Sequence, residues 1–229
     1  MTTKPSQPSE MNVSNGHRFF DVIKRILDFV TSAISLMLLF PLFLIAYLSI
    51  KLESPGPVLY RQVRIGKDGK PFPFFKFRTM NINFDSDKHR EYLDHLAKSQ
   101  ESRQSGTFSI REDIRITNVG RFLRRFSIDE LPSILSVLMG YMSIVGPRPL
   151  TPRDAEHIAG LSPNRLSVKP GLTGLWQVSS RTTTFEEMLR LDSYYVENRS
   201  FALDIKILLM TIPVALLGRP FDSERTHHK

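Results

Sequence analysis

The chain has 229 residues, 41% hydrophobic and 24% charged, which allows one domain with a small appendage. Cysteine is absent, which excludes a disulfide framework, a thiolate nucleophile and a cysteine-based metal site. The 31 basic residues against 23 acidic ones leave a net charge of +8, suited to an anionic partner such as a lipid surface or a phosphorylated substrate. No zinc-finger or RNP signature is present, and a nucleic-acid partner is not expected.

Residues 1–16 (MTTKPSQPSEMNVSNG) are polar and Pro/Ser-rich and are expected to form a disordered tail. They are not a secretory signal, because the apolar run behind them is too long, begins too late and has no small-residue cleavage site. Residues 17–53 are expected to be the membrane element. His17–Asp28 sets apolar pairs against charges at helical spacing, the pattern of an amphipathic approach helix. Phe29–Ile50 (FVTSAISLMLLFPLFLIAYLSI) then runs 22 residues without a charge. As a helix it is roughly 33 Å long, against ~30 Å of bilayer hydrocarbon. A buried core helix is the plainer alternative.

Pro41 sits at the centre of that run. It removes the bond to the Met37 carbonyl, so a kink is expected, and each half is then about 15–18 Å long, too short to cross alone. Arg18, Lys24 and Arg25 precede the run, while Lys51, Arg61, Arg64 and Lys67 follow it. Basic flanks favour the cytoplasm, and here neither end has the advantage. A helix that breaks at Pro41 and returns to the same face satisfies both flanks. A kinked full span is the competing form, and the residue pattern leaves both open.

Ser54-Pro55-Gly56-Pro57 stops the helix and opens the segment 54–217, expected to be a small catalytic domain. Val58–Val63 and Phe72–Phe77 read as short strands around a Gly66-Lys67-Asp68-Gly69 turn. The second strand interleaves Phe72, Phe74, Phe75 and Phe77 with Lys76 and Arg78, an apolar face with a basic one. Residues 84–105 are highly charged and read as an exposed helix fading into a loop. Within them, Asp85-Ser86-Asp87 has the D-x-D form of many glycosyltransferase metal sites. It opens a polar helix, however, where an N-cap is the simpler reading.

The chemistry concentrates in NVGRFLRRFSIDELPSILSVLMGYMSIVGPRPL, from Asn118. Arg121, Arg124 and Arg125 share one helical face. Ser127-Ile128-Asp129-Glu130 matches a capping box, a wholly structural explanation of the two acids. Pro132 fits better if the helix starts there, which leaves Asp129 and Glu130 in the preceding loop. In either register two carboxylates lie at a helix N-terminus beside an arginine face, where the positive helix end is expected to lower a carboxylate pKa and attract phosphate. Pro147-Arg148-Pro149 adds an arginine in a rigid turn, and arginine binds phosphate through paired hydrogen bonds. These parts suit phosphoryl transfer, including attack by a carboxylate on phosphorus.

The membrane run with its central proline, PFFKFRTM, RFLRRFSIDELP, MSIVGPRP and KPGLTGLWQV stand in the order seen in bacterial sugar transferases, and the chain resembles that family from about Phe19 to Leu217. These are monotopic, polyprenyl-phosphate-dependent phosphoglycosyl transferases. The resemblance implies an α+β, membrane-embedded monotopic enzyme with a proline-broken re-entrant helix, amphipathic interfacial helices and a cytoplasmic catalytic domain at the bacterial inner membrane. It implies transfer of a sugar-1-phosphate from a nucleotide diphosphate sugar, read as a UDP-hexose, to undecaprenyl phosphate, with release of UMP and use of Mg²⁺. Asp129 would be the nucleophile and Glu130 the support for Mg²⁺. Lys76, Arg78, Arg124, Arg148 and, more remotely, Asp192 would contact substrate. One departure is Phe40, where many members carry a small polar residue before the proline. Longer members carry additional membrane helices ahead of this domain, and the chain resembles the compact form; a homo-oligomer is compatible with it.

Pro170-Gly171 and Gly174 mark loops, and Trp176, the only tryptophan, fits either a headgroup position or the core. Thr184-Phe185-Glu186-Glu187 reads as a second capping box opening a helix towards Val196. Phe201–Leu217 is apolar but interrupted, as expected of an interfacial helix, and 218–229 reads as a frayed tail. Two other functions compete: a glycosyltransferase using Asp85 and Asp87, and a non-enzymatic membrane-anchored binding module.

Overall fold

A computed structural model of the chain describes residues 10–81, 115–158, 163–179 and 184–217. The Asp85-Ser86-Asp87 segment lies outside the described residues. Helix α1, Glu10–Glu53, joins the approach helix and the apolar run in one element. Pro41 lies inside it, and the helix continues on both sides of it. Proline removes one donor, but the Leu- and Phe-rich turns on each side keep their own hydrogen bonds. Phe19–Glu53 is long and apolar enough to cross a membrane, and its apolar surface is mostly uncovered: Met37, Leu38 and Phe40 are 78%, 75% and 64% exposed.

Both ends of the apolar run nevertheless dock on the rest of the chain. Near its start, Arg25 donates to the Val137 and Leu138 carbonyls at 2.6 and 2.8 Å, and Asp28 accepts from the Ile144 amide at 2.9 Å. Lys24 pairs with Asp204, and Asp21 with Arg199. Near its end, Ala46 and Ile50 are buried in a cluster with Val58, Phe77 and Leu123. Glu53 then accepts from the amides of Asn118 and Val119 at 2.7 and 3.0 Å. These are free N–H groups of helix α2, Asn118–Arg125, so α1 supplies that helix with a cap from a distant part of the chain.

The expected hairpin forms: β1, Leu59–Ile65, pairs antiparallel with β2, Pro71–Phe77, in the register Leu59↔Phe77 to Ile65↔Pro71. Its turn needs a left-handed residue, and Asp68 supplies it at φ 58°. Phe72 and Phe74 face a core with Val137 and Met142, while Phe77 points to the other side, towards α1. A second pair is parallel and short, β3, Ser143–Val145, beside β4, Gly171–Thr173. Glycine makes it possible. A Cβ on Gly171 would stand 2.1 Å from the Gly146 nitrogen, and one on Gly174 would stand 2.2 Å from the Gly146 oxygen.

Neither expected capping box forms. Ser127 is left-handed with φ 56° and caps nothing with its side chain; Ile128–Ser133 is a 3-10 segment and α3, Ile134–Leu138, begins after Pro132. The proline has no amide to continue an α-helical ladder through the expected first turn. Thr184 precedes the expected helix, Phe185–Asn198, without a side-chain cap bond. A reciprocal cap occurs instead at Thr151 and Asp154, opening the helix Pro152–Ile158. Trp176 packs in the core beside Leu150 and Met188. The last helix, Phe201–Leu217, buries Ile207 and leaves Ile205, Leu208, Leu209 and Ile212 exposed.

Candidate active site

β2, the 3-10 segment and the Pro147-Arg148-Pro149 turn converge on one carboxylate. Alternate residues of a strand share a face, so Lys76 lies on the side of Phe72 and Phe74, not on a separate basic face. Its ammonium sits 5.3 Å over the Phe74 ring and donates to Glu130 Oε1 at 2.8 Å. Arg148 Nη2 donates to the same oxygen at 3.0 Å. Two cations distant in sequence thus grip one acid, and all three side chains keep some contact with solvent.

Asp129, the preceding residue, is in a different environment. It is only 9% exposed. Burial, and secondarily the Glu130 charge, push its pKa up to about 6; the attractions of Lys76 and Arg124 do not cancel that rise. This reverses the expected lowering by a helix end. The residue lies in a 3-10 turn ahead of a five-residue helix, so no long macrodipole points at it.

Arg124 reaches in from α2, with Nε donating to Thr79 Oγ1 at 2.9 Å. Gly120 permits that approach: a Cβ there would stand 2.2 Å from the Thr79 carbonyl oxygen. Arg78 is placed otherwise. It is buried, and its Nη atoms donate to the carbonyls of Ser54 and Pro55 and to Ser54 Oγ, which fixes the turn after α1. Asp192 too is engaged elsewhere. It forms a fully buried ion pair with Arg165 at 2.6 Å, and Arg165 Nη2 donates to the Arg148 backbone carbonyl at 2.8 Å. Asp192 therefore bears on the site through Arg165 and the backbone of the Pro-Arg-Pro turn.

Sequence reasoning missed Arg64, Arg165 and Gln177. Arg64 appeared only as a basic flank of the membrane run. It crosses to the Pro149 carbonyl at 3.2 Å, covers Phe74 and lines a cleft with Glu130, Arg148 and Gln177. Its position in an alternating strand, two residues before the turn, carried no signal of that cross-chain contact.

Among the described residues, no three His, Asp or Glu side chains gather as a cage for a metal. Mg²⁺, however, is ordinarily held by one or two carboxylates, with substrate phosphates and water completing the shell. Adjacent Asp129 and Glu130, with Lys76 and Arg148 beside Glu130, fit that donor set.

The site thus sets an acid pair under a clamp of cations, in a chain whose first helix is long and apolar enough to cross a membrane. The family model described as bacterial sugar transferase matches residues 19–218, and the chain belongs to that family. A UDP-glucose:undecaprenyl-phosphate glucose-1-phosphate transferase of Caulobacter vibrioides is 42% identical over 205 residues, covering 86% of this chain and 70% of the relative. The galactosyl transferase CpsE of Streptococcus agalactiae is 39% identical, and the match covers 86% of this chain but 43% of that protein. The exopolysaccharide production protein ExoY of Sinorhizobium fredii is 37% identical, with 86% and 87% covered. The chain therefore spans less than half of CpsE and most of ExoY.

Proposed function

We propose that the chain transfers a sugar-1-phosphate from a nucleotide diphosphate sugar, of the UDP-hexose class, to undecaprenyl phosphate and so starts assembly of an exopolysaccharide or related glycoconjugate. The observation that carries this reading is the pairing of a buried Asp129 with a Glu130 gripped by Lys76 and Arg148. Lys76, Arg124 and Arg148 hold the diphosphate. Glu130 would support Mg²⁺, which would neutralise phosphate charge. The ionised Asp129 carboxylate attacks the sugar-bearing phosphorus; the bond from that phosphorus to the bridging oxygen breaks and UMP leaves with the electron pair. The aspartyl-phosphosugar is then attacked at phosphorus by an oxygen of undecaprenyl phosphate, which restores the Asp129 carboxylate and yields the diphosphate-linked lipid sugar. Partial burial keeps bulk water from competing with that lipid oxygen.

The proposed membrane arrangement is supported by α1. Its exposed apolar middle enters the bilayer, and both ends return to one folded body through Asp28 and Glu53. The return of both ends to one folded body supports a helix that re-enters at Pro41. The catalytic domain faces the cytoplasm, with Phe201–Leu217 lying at the interface through Leu208, Leu209 and Ile212. The decisive assay supplies nucleotide sugars and undecaprenyl phosphate. UMP release is the expected result; UDP release would mark glycosyl transfer, and release of neither a binding module.

A further inference from the structure

One cleft is lined by Glu130 and Arg148 together with Arg64, Phe74, Leu172 and Gln177. Its charged groups already have protein partners: Glu130 is held by two cations, and Arg64 donates to Gln62 Oε1 and to the Pro149 carbonyl. Gln177 differs. Its Oε1 is buried without a hydrogen-bond partner, while its Nε2 lies 3.5 Å from the Leu172 carbonyl oxygen. That carbonyl can be served only by the amide NH₂, which fixes the carboxamide with its oxygen as the group left over.

The fold builds this position with some care for distance. Gln177 lies on the short helix Leu175–Ser179, directly after Gly174. Gly174 packs without a Cβ against the Gly146 carbonyl, so the helix is locked to the segment that carries Arg148. A buried acceptor with no partner is costly and is ordinarily satisfied by water or ligand. Gln177 also lines the cleft that Glu130 and Arg148 line.

We propose that Gln177 is a specificity-determining residue of the donor site: its Oε1 accepts a hydrogen bond from an uncharged O–H or N–H group of the nucleotide sugar, beyond the diphosphate. This rests on the transferase reading above. The hydrogen donor is a hydroxyl of the sugar or an N–H or hydroxyl of the nucleoside. Either group would satisfy the same orphaned acceptor.

The test uses the full membrane-inserted chain, Gln177→Met and Gln177→Ala, with a panel of UDP-hexoses and undecaprenyl phosphate. Gln177→Met keeps the length and removes the unsatisfied oxygen, so its thermal midpoint should equal or exceed that of the wild type. Its KM for the best UDP-hexose should rise about 3–10-fold, the worth of one neutral hydrogen bond, with kcat and the KM for undecaprenyl phosphate nearly unchanged. Loss of discrimination between hexose epimers with unchanged inhibition by UMP assigns the bond to the sugar. Equally weakened UMP inhibition assigns it to the nucleoside. Unchanged donor KM in both folded variants overturns the proposal while leaving the transferase reading intact, as does an equal loss towards donor and lipid. A wild type that releases no UMP overturns the transferase reading, and this proposal with it.

Discussion

Lys76 and Glu130 meet at 2.8 Å although 54 positions separate them in sequence. The contact joins the hairpin to the 3-10 segment and sets the direction of the acid that neighbours Asp129. It also leaves the two adjacent acids in different environments. Glu130 is neutralised by Lys76 and Arg148, whereas Asp129 is buried and harder to ionise.

That contrast makes Asp129→Asn informative. As nucleophile, Asp129 must be ionised, so wild-type turnover should rise with pH through about 6 and then level. The folded pKa lies above the ordinary 3.8, so the folded chain binds this proton more tightly than the unfolded chain. Stability contributed by the neutral carboxyl is present below about pH 4 and is lost as pH rises through about 6. Asp129→Asn should therefore abolish transfer while raising stability at pH 7.5, by up to about 3 kcal/mol. Denaturation of both forms at pH 5 and 7.5, alongside the UMP assay, checks this. An active or strongly destabilised variant would overturn it.

With nucleotide sugar and no lipid acceptor, the wild type should accumulate a phosphosugar adduct on Asp129, labile to hydroxylamine. Mass spectrometry of the peptide locates it. Glu130→Gln should lose most turnover, and raised Mg²⁺ should restore part of it. An adduct on another residue, or a Glu130→Gln variant indifferent to Mg²⁺, would contradict the assigned roles.

Arg148→Ala and Asp192→Asn should fail in different ways. Arg148 is partly exposed, and its loss should cost about 1.5–3 kcal/mol of phosphate binding, roughly 10–150-fold in turnover, with little effect on folding. Asp192→Asn leaves Arg165 buried without its counter-charge and should cost about 3–5 kcal/mol of stability. Thermal unfolding separates the two. An Asp192→Asn variant as stable as wild type but inactive would move Asp192 into direct substrate contact.

Topology can be read with cysteines, since the native chain has none. Asn15→Cys and Ser223→Cys should both resist an impermeant thiol reagent in intact cells and both react after lysis. Labelling of only one in intact cells would establish a full crossing.

The sequence by itself determined the long apolar helix and the hairpin, and it singled out Asp129, Glu130 and Arg148. An uncharged run of membrane length, a Gly-rich turn between alternating strands and a Pro-bounded arginine are local patterns, and local physics decides them. Tertiary structure alone decided how those parts act. Asp129 has a raised pKa because neighbours distant in sequence exclude water from it, and no spacing of residues encodes burial. Arg78 turned inward to Ser54 and Pro55, Asp192 became the partner of Arg165, and Arg64 joined the cleft, each through contacts made across the chain. The Gly146–Gly171–Gly174 packing that holds the Arg148 turn also depends on two segments touching backbone to backbone, which only the folded chain brings together.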